Sequence, residues 1–365
     1  MSKEDKGYGL SPEKKIKNIL TPVINYHPPK PKKYNPAIGL VGTGGIAEYH
    51  LKNYRACGFN IVALANRTVE KAELMREKFF PDAKVYSDYH QLLKDDNIEV
   101  VDVTPHPAER LPILHYCLDS GKHVLSQKPF VLNYSDGKKL VQKAEKKNLK
   151  FAVNQNGRWA PHFCYIRNAI KKGILGNIAS IDFNLQWDQT WIKGIPSFEK
   201  MDDLILFDFG IHWFDITSCF MEGRKPQILY ASTRHHSGQV YQPPALASII
   251  IDYDETQVRI SFNGHCTNGE EDVTTVVGSM GTIRSRGTGL NEQNNIELYL
   301  ENGSVHVPLK GSWFESGFQG TMGELLCAIE DDRQPYNSAL NNLKTLELCF
   351  AAQKSIQQKS PIRFT

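Results

Sequence analysis

The sequence predicts an α/β chain in two parts: a doubly wound parallel sheet, then an α+β domain with a large, mostly antiparallel open sheet. Three observations carry this. At 365 residues the chain exceeds what one core serves, since single cores stop growing near roughly 250–300 residues. From residue 37, short β-branched runs alternate with helical stretches, as strands buried on both faces do when helices cover them. Beyond residue 157 the apolar residues recur at every second position between Gly and Asn turns, the mark of strands with one covered face.

Residues 1–36 hold eight lysines against three acids and end in "YHPPKPKKYNP". Prolines forbid helix there and favour an extended path, so this extension is expected to be a solvated arm or surface strap outside the folded core. The first domain, 37–156, follows as "AIGLVGTGGIAEYHLKNYRACG", "FNIVALANRTVEKAELMREKF", "IEVVDVTPHPAERLPILHYCLDSG", "KHVLSQKPFVLNYSDGKKLVQKAEKKN" and "LKFAVNQNGRW". In the second, 157–365, the helical "HFCYIRNAIKKGILGN" leads into "IASIDFNLQW", "ASIIIDYDETQVRISFNG", "DVTTVVGSMGTIRSRG" and "NIELYLENGSVHVPL", and two long helical stretches close the chain.

Composition narrows the function. Forty-three Lys and Arg against forty Asp and Glu leave a net charge of +3, without the clustered basic excess that nucleic-acid binding uses. No apolar run spans a bilayer, and the charged start "MSKEDKGYGL" lacks an apolar signal core. The seven cysteines are odd in number and contain no C-x-x-C pair, which suits free thiols in a reducing compartment. A cytoplasmic protein without nucleic-acid or membrane partners is expected.

"GLVGTGGIA" puts Gly42, Gly44 and Ala47 in G-x-G-x-x-G/A spacing between a strand and a helix. The first glycine permits the turn, the second admits a pyrophosphate to the backbone, and the small third residue lets helix and strand pack. Thr43, Gly45 and Ile46 belong to the same cradle, so a bound NAD or NADP is expected. At the end of the second strand, "ALANRTVEKA" carries Asn66, Arg67 and Thr68 where an acid would repel a 2′-phosphate. An arginine with hydroxyl neighbours can receive that phosphate, so the reading leans to NADP.

Two further stretches carry chemistry. "SGKHVLSQKPFVLN" places Lys128 at the carboxyl end of a strand, the edge where open α/β sheets bind ligands. "LILFDFGIHWFDI" is almost wholly apolar yet holds Asp208, His212 and Asp215. At about 100° per residue these fall within roughly a 60° arc of one helix. Buried carboxylate and imidazole side by side have the perturbed proton affinities that acid/base catalysis uses; a structural His–Asp pair is the alternative. A metal is not expected, since His212 and Asp215 lack a third ligand and the adjacent His235 and His236 would point to opposite faces of a strand.

Together "GLVGTGGIA", "VYSDYHQLLKDDNIEVVDVTP", "GKHVLSQKP", "VNQNGRWAP", "IKKGILGNI", "DFGIHWFD" and "FQGTMGELLCAIEDDRQP" resemble the Gfo/Idh/MocA oxidoreductases, the glucose-fructose oxidoreductase and inositol dehydrogenase group, from about Ala37 to the C-terminus. The resemblance implies a Rossmann domain, an α+β domain whose open sheet forms dimer or tetramer contacts, and hydride exchange between nicotinamide and a secondary hydroxyl or keto carbon of a sugar or polyol. It makes Lys128 the lysine of an E-K-P motif and Asp208 and His212 the substrate-domain acid and histidine. His212 then takes the hydroxyl proton, Lys128 stabilises the alkoxide, and Asp208 orients the histidine or a second hydroxyl. Thr104, Pro105, His106, Gln127 and Asn156 are expected against the cofactor, Arg158 and Trp159 beside the nicotinamide and substrate, and Trp191 on a sugar face. Gln127 stands where the family usually carries glutamate, and His106 where asparagine is common. Asp215 is read as a structural partner. Two alternatives remain: a redox-neutral hydrolase or lyase of the same family that oxidises its sugar transiently, and a dinucleotide-binding sensor without turnover.

Overall fold

Each apolar run of the first domain becomes one strand of a six-stranded parallel sheet in the computed structural model, which describes residues 17–293 and 295–364. The strands are β1 (Ala37–Val41), β2 (Ile61–Ala65), β3 (Lys84–Tyr86), β4 (Ile98–Val103), β5 (His123–Gln127) and β6 (Phe151–Asn154). Their order is β3-β2-β1-β4-β5-β6, with helices α1 (Gly45–Cys57), α2 (Val69–Phe79), α3 (Tyr89–Leu93), α4 (Pro107–Asp119) and α5 (Tyr134–Lys146) between them. The order reverses between β1 and β4, which opens a crevice at their carboxyl ends.

After a 3₁₀ turn (Asn156–Trp159) come α6 (Pro161–Lys171), β7 (Ile178–Gln186), the short α7 (Pro196–Glu199), a π-helical turn (Ile205–Gly210) and α8 (Ile211–Phe220). The chain continues as β8 (Ile228–Arg234), β9 (Leu246–Asp252), β10 (Gln257–Asn263), β11 (Glu271–Gly278), β12 (Gly281–Gly287), β13 (Asn295–Leu300) and β14 (Gly303–Pro308). It ends in α9 (Trp313–Glu330), α10 (Ala339–Gln358) and β15 (Ile362–Arg363). The nine strands form one sheet, β14-β13-β12-β11-β7-β10-β9-β8-β15, in which only β7 and β10 run parallel. Period-two alternation decides its faces. Ile181, Phe183, Leu185, Ile249, Ile251, Val258, Ile260 and Phe262 are buried, while the opposite face carries polar cross-strand pairs such as Asp182–Arg259.

Two features differ from the expectation. Helix α9 crosses the boundary drawn at 156/157: Met322, Leu325 and Leu326 share one core cluster with Leu40, Leu51, Tyr54 and Ala152 of the first domain. The arm is also less detached than charge and proline suggest. Of its described part, residues 17–36, Lys17 and Ile19 hydrogen-bond Ser304 on the edge of β14, and Ile24 is buried in the main core. The backbone N–H groups of Lys32, Lys33 and Tyr34 then donate to the Glu330 carboxylate at 2.8, 2.7 and 2.9 Å, holding that carboxyl below its usual range. Thus the arm straps the second sheet to α9 through main-chain bonds that side-chain composition does not reveal.

Candidate active site

The glycine turn sits where the crevice opens. Gly42 has φ +90°, and a Cβ there would meet Pro105 and Thr104 at 2.9 Å, so both backbone and space demand glycine. Thr104 ties the two loops together, its hydroxyl donating to the Val41 and Gly42 carbonyls. At Gly44 and Gly45 a Cβ would meet nothing within 4 Å, and no side chain caps α1. The Ala47 N–H bonds the Gly44 carbonyl at 2.9 Å, while the space around Gly44 and Gly45 is open at the start of α1, as a pyrophosphate site requires. Thr43 Oγ1 is buried there without a partner among the described residues, while Ala47 is fully buried and Ile46 half-buried.

A cavity of about 580 Å³ extends from Gly42–Gly44 past Asn66 and Arg67 to Asp88, Pro105, His106 and Glu109. Asn66 turns inward on its own loop, bonding the Thr68 carbonyl at 3.0 Å. Thr68 begins α2 without a side-chain cap bond, and His106 Nδ1 accepts from Ala108 at the start of α4. These residues fit a dinucleotide: glycines for the phosphates, then a polar recess for the adenosine. Arg67, 83% exposed, bonds Glu109 at 2.6 Å. Glu109 thus supplies the acid that the end of β2 lacks, and because it comes from α4 a search of the second strand passes over it.

Lys128 leaves the carboxyl end of β5 and reaches across to the second domain. Its Nζ donates to the Asp208 main-chain oxygen at 2.7 Å and to the Asp208 carboxylate at 3.0 Å. Asp208 lies in the π-helical turn, so the regular wheel does not hold there. One extra residue enters the turn, and Gly210 admits it, because a Cβ would stand 2.5 Å from the Ile205 carbonyl. The expected stripe accordingly splits. Asp208 faces Lys128 and makes no hydrogen bond to His212, so of its two expected roles, orienting the histidine or a second hydroxyl, the first is not seen. His212 lies edge-on to Trp313 at 5.5 Å, and its Nδ1 has no partner among the described residues. Burial pushes His212 well below the ordinary 6.5, and the nearby Lys128 charge pushes the same way. The ring is therefore a neutral imidazole, with its buried Nδ1 unbonded.

Asp215 goes elsewhere. It receives Arg158 in a bidentate pair at 2.7 and 2.6 Å, with Thr345 at 2.8 Å, and both charged side chains are essentially unexposed at 0% and 1%. The expectation of Arg158 beside nicotinamide and substrate is corrected: its other bonds go to the Tyr336 carbonyl and Asn341. Trp159 is likewise buried, in a space made by Gly320, where a Cβ would lie 2.2 Å away. A basic and an aromatic residue after a last Rossmann strand look like a cofactor border in sequence; here the 3₁₀ turn points Arg158 to Asp215 of α8 and Trp159 onto Gly320 of α9. Asn156 is buried, its Oδ1 accepting from Trp313 Nε1 at 3.0 Å, so it braces the indole that His212 meets. Trp191 remains 51% exposed, packed against Phe198 and Phe209.

Arg110, which sequence reasoning did not single out, is buried with its guanidinium on three backbone carbonyls: Pro105, Gln127 at 2.6 Å, and Pro129. It joins the cofactor loop to the segment on either side of Lys128. Burial lowers it to about 9, while Asp102 and Asp208 act in the opposite direction. No sequence spacing marks such a group, because its partners are main-chain oxygens, one after β4 and two at the end of β5.

Comparison with known proteins gives the family and the fold. The model of the oxidoreductase family with NAD-binding Rossmann fold, GFO_IDH_MocA, matches residues 37–155, and that of the GFO/IDH/MocA C-terminal domain matches 163–284. The chain is 30% identical over 160 residues to an uncharacterised oxidoreductase of Schizosaccharomyces pombe, a match spanning 43% of either chain. It is 22% identical over 337 residues to the D-apiose dehydrogenase of Paraburkholderia graminis, covering 87% of each. In fold it is similar to an Agrobacterium radiobacter oxidoreductase solved with NAD+, L-tartaric acid and magnesium, with TM-score 0.82 and 19% identity over 90% of this chain and 98% of that one. With both domain models matched in order and the glycine cradle at the sheet's switch point, the chain belongs to the Gfo/Idh/MocA family of NAD-binding oxidoreductases.

Proposed function

We propose that the protein transfers a hydride between a nicotinamide dinucleotide and a secondary hydroxyl or keto carbon of a sugar or polyol. The carrying observation is the convergence of Lys128, Asp208 and an unpartnered, neutral His212 beyond the carboxyl end of β5. A bound dinucleotide supplies the hydride acceptor. For its part, the chain binds the alcohol oxygen at the Lys128 ammonium, which stabilises charge as it develops there. His212 takes the hydroxyl proton, and in the reverse direction returns it. Asp208 keeps Lys128 aimed, and the exposed face of Trp191 offers a platform for a sugar ring. The D-apiose dehydrogenase relative supports a carbohydrate substrate.

Arg67 supports use of NADP, since a 2′-phosphate can take its guanidinium from Glu109. With NAD, Glu109 can instead accept a ribose hydroxyl. We infer that both dinucleotides bind and that this pair sets the preference. The polar open face of the nine-stranded sheet supports a homo-oligomer, dimer or tetramer, measurable by light scattering. Among the described residues no helix is long and apolar enough to cross a membrane, and the seven free cysteines support a reducing, cytoplasmic setting.

The test is a panel of sugars, polyols and glycosides with each dinucleotide, following reduced cofactor and released aglycone together. Reduced cofactor without cleavage is the expected result. Cleavage without net reduction would replace this reading with the redox-neutral one, and silence on both would leave a dinucleotide-binding sensor.

A further inference from the structure

Behind Lys128, away from the face that meets Asp208, lies a buried chain of polar groups that the chemistry above does not use. His50 of α1 and Asp102 of β4 are both fully buried, with His50 Nδ1 2.6 Å from Asp102 Oδ2. Tyr54 donates its hydroxyl to the same oxygen at 2.7 Å. On the other edge of the ring, His50 Nε2 faces Asn154 Nδ2 at 3.1 Å and Gln127 Nε2 at 3.5 Å. Gln127 Oε1 in turn accepts the Lys128 backbone N–H at 2.7 Å.

The hydrogen-bond roles run one way. The Lys128 N–H needs an oxygen, so the Gln127 amide must turn its oxygen toward Lys128 and its NH₂ toward His50. An imidazole nitrogen that meets NH₂ groups must offer a lone pair, so Nε2 is bare and the proton sits on Nδ1, where the Asp102 carboxylate accepts it. Tyr54 and Asp102 are the titratable groups on the ring itself; Phe318 of α9 covers it at 4.7 Å without charge, and Arg110 acts on Asp102 from beyond.

We propose that His50 is a positioning residue for the Lys128 corner: held by Asp102 as the Nδ1–H tautomer, it locks the Gln127 amide in the one orientation that secures the Lys128 backbone. This rests on the reading of Lys128 as a catalytic residue, but the orientation itself does not. It also makes His50 and Gln127 a matched pair. A glutamate at 127 would turn an oxygen toward each neighbour, so that the bare Nε2 of His50 would meet an acceptor instead of an NH₂ donor.

The full chain labelled with ¹⁵N-histidine and saturated with NADH decides the tautomer, the His50 signals being identified by their loss in His50→Gln. The wild type is expected to show a protonated Nδ1 and a bare Nε2. A protonated Nε2 would overturn the proposal. With a substrate found by the panel, His50→Met is expected to slow turnover about tenfold with NADH affinity within twofold. His50→Gln, which can place an amide oxygen near the Nε2 position, should recover to within threefold. Equal losses in both variants would also overturn it. Because the nuclear resonance measurement needs no substrate, a silent panel removes the proposed activity and still leaves the orientation tested.

Discussion

Asp272 on β11 is a carboxyl placed where a carboxylate does badly. It is unexposed on the covered face of the nine-stranded sheet, and neither oxygen has a hydrogen-bond partner among the described residues. Burial raises it from 3.8 to about 8, with only the Gln293 amide pulling the other way. The folded value lies above the unfolded one, so the folded chain keeps a proton that the unfolded chain releases. The stabilising contribution is complete below pH 3.8 and is lost as pH rises toward 8. The slope is about 1.4 kcal/mol per pH step, on the order of 4 kcal/mol by pH 7. Asp272→Asn removes this dependence while adding a buried NH₂ group, which costs about 1–3 kcal/mol if unpaired. Urea unfolding of both proteins from pH 4 to 8 should find the variant no more stable at pH 4 and about 1–3 kcal/mol more stable at pH 7. A stability difference that stays flat across this range would refute the reasoning, because it would mean that the carboxyl ionises equally in both states.

Three other perturbations separate structure from chemistry. Asp215→Asn strands the buried Arg158 charge and should cost about 3–5 kcal/mol in urea unfolding, with NADH affinity of the folded protein unchanged. His212→Ala should lower hydride transfer about 10²–10⁴-fold in a stopped-flow assay while NADH fluorescence titration stays within twofold of wild type; retained turnover would remove His212 as the base. Arg67→Asp should move the ratio of NADP to NAD affinity about tenfold toward NAD, one charge-assisted hydrogen bond being worth roughly 1.5–3 kcal/mol, and Glu109→Gln should move it the other way. Unchanged ratios in both would dismiss the pair as selector.

Local pattern determined much of this protein. Apolar β-branched runs alternating with helical stretches suit a covered parallel sheet, and period-two runs suit one with a single covered face, so the order of architectures was legible in the pattern. The glycine cradle was legible because Gly42 serves a backbone geometry that no other residue adopts cheaply, and Lys128 because a strand's carboxyl end is a fixed place in such sheets. What a side chain does after it leaves its element was decided by the fold. Asp208, His212 and Asp215 share a sequence stripe, yet a π-turn sends the first to Lys128 and a buried arginine claims the last. Arg110 and His50 are silent in sequence because their partners, carbonyls of the Pro105 loop and of the end of β5 and a carboxylate 52 residues away, meet only when the sheet is assembled. Hydrogen bonds and ion pairs act over about 3 Å, and only the tertiary structure brings distant residues that close.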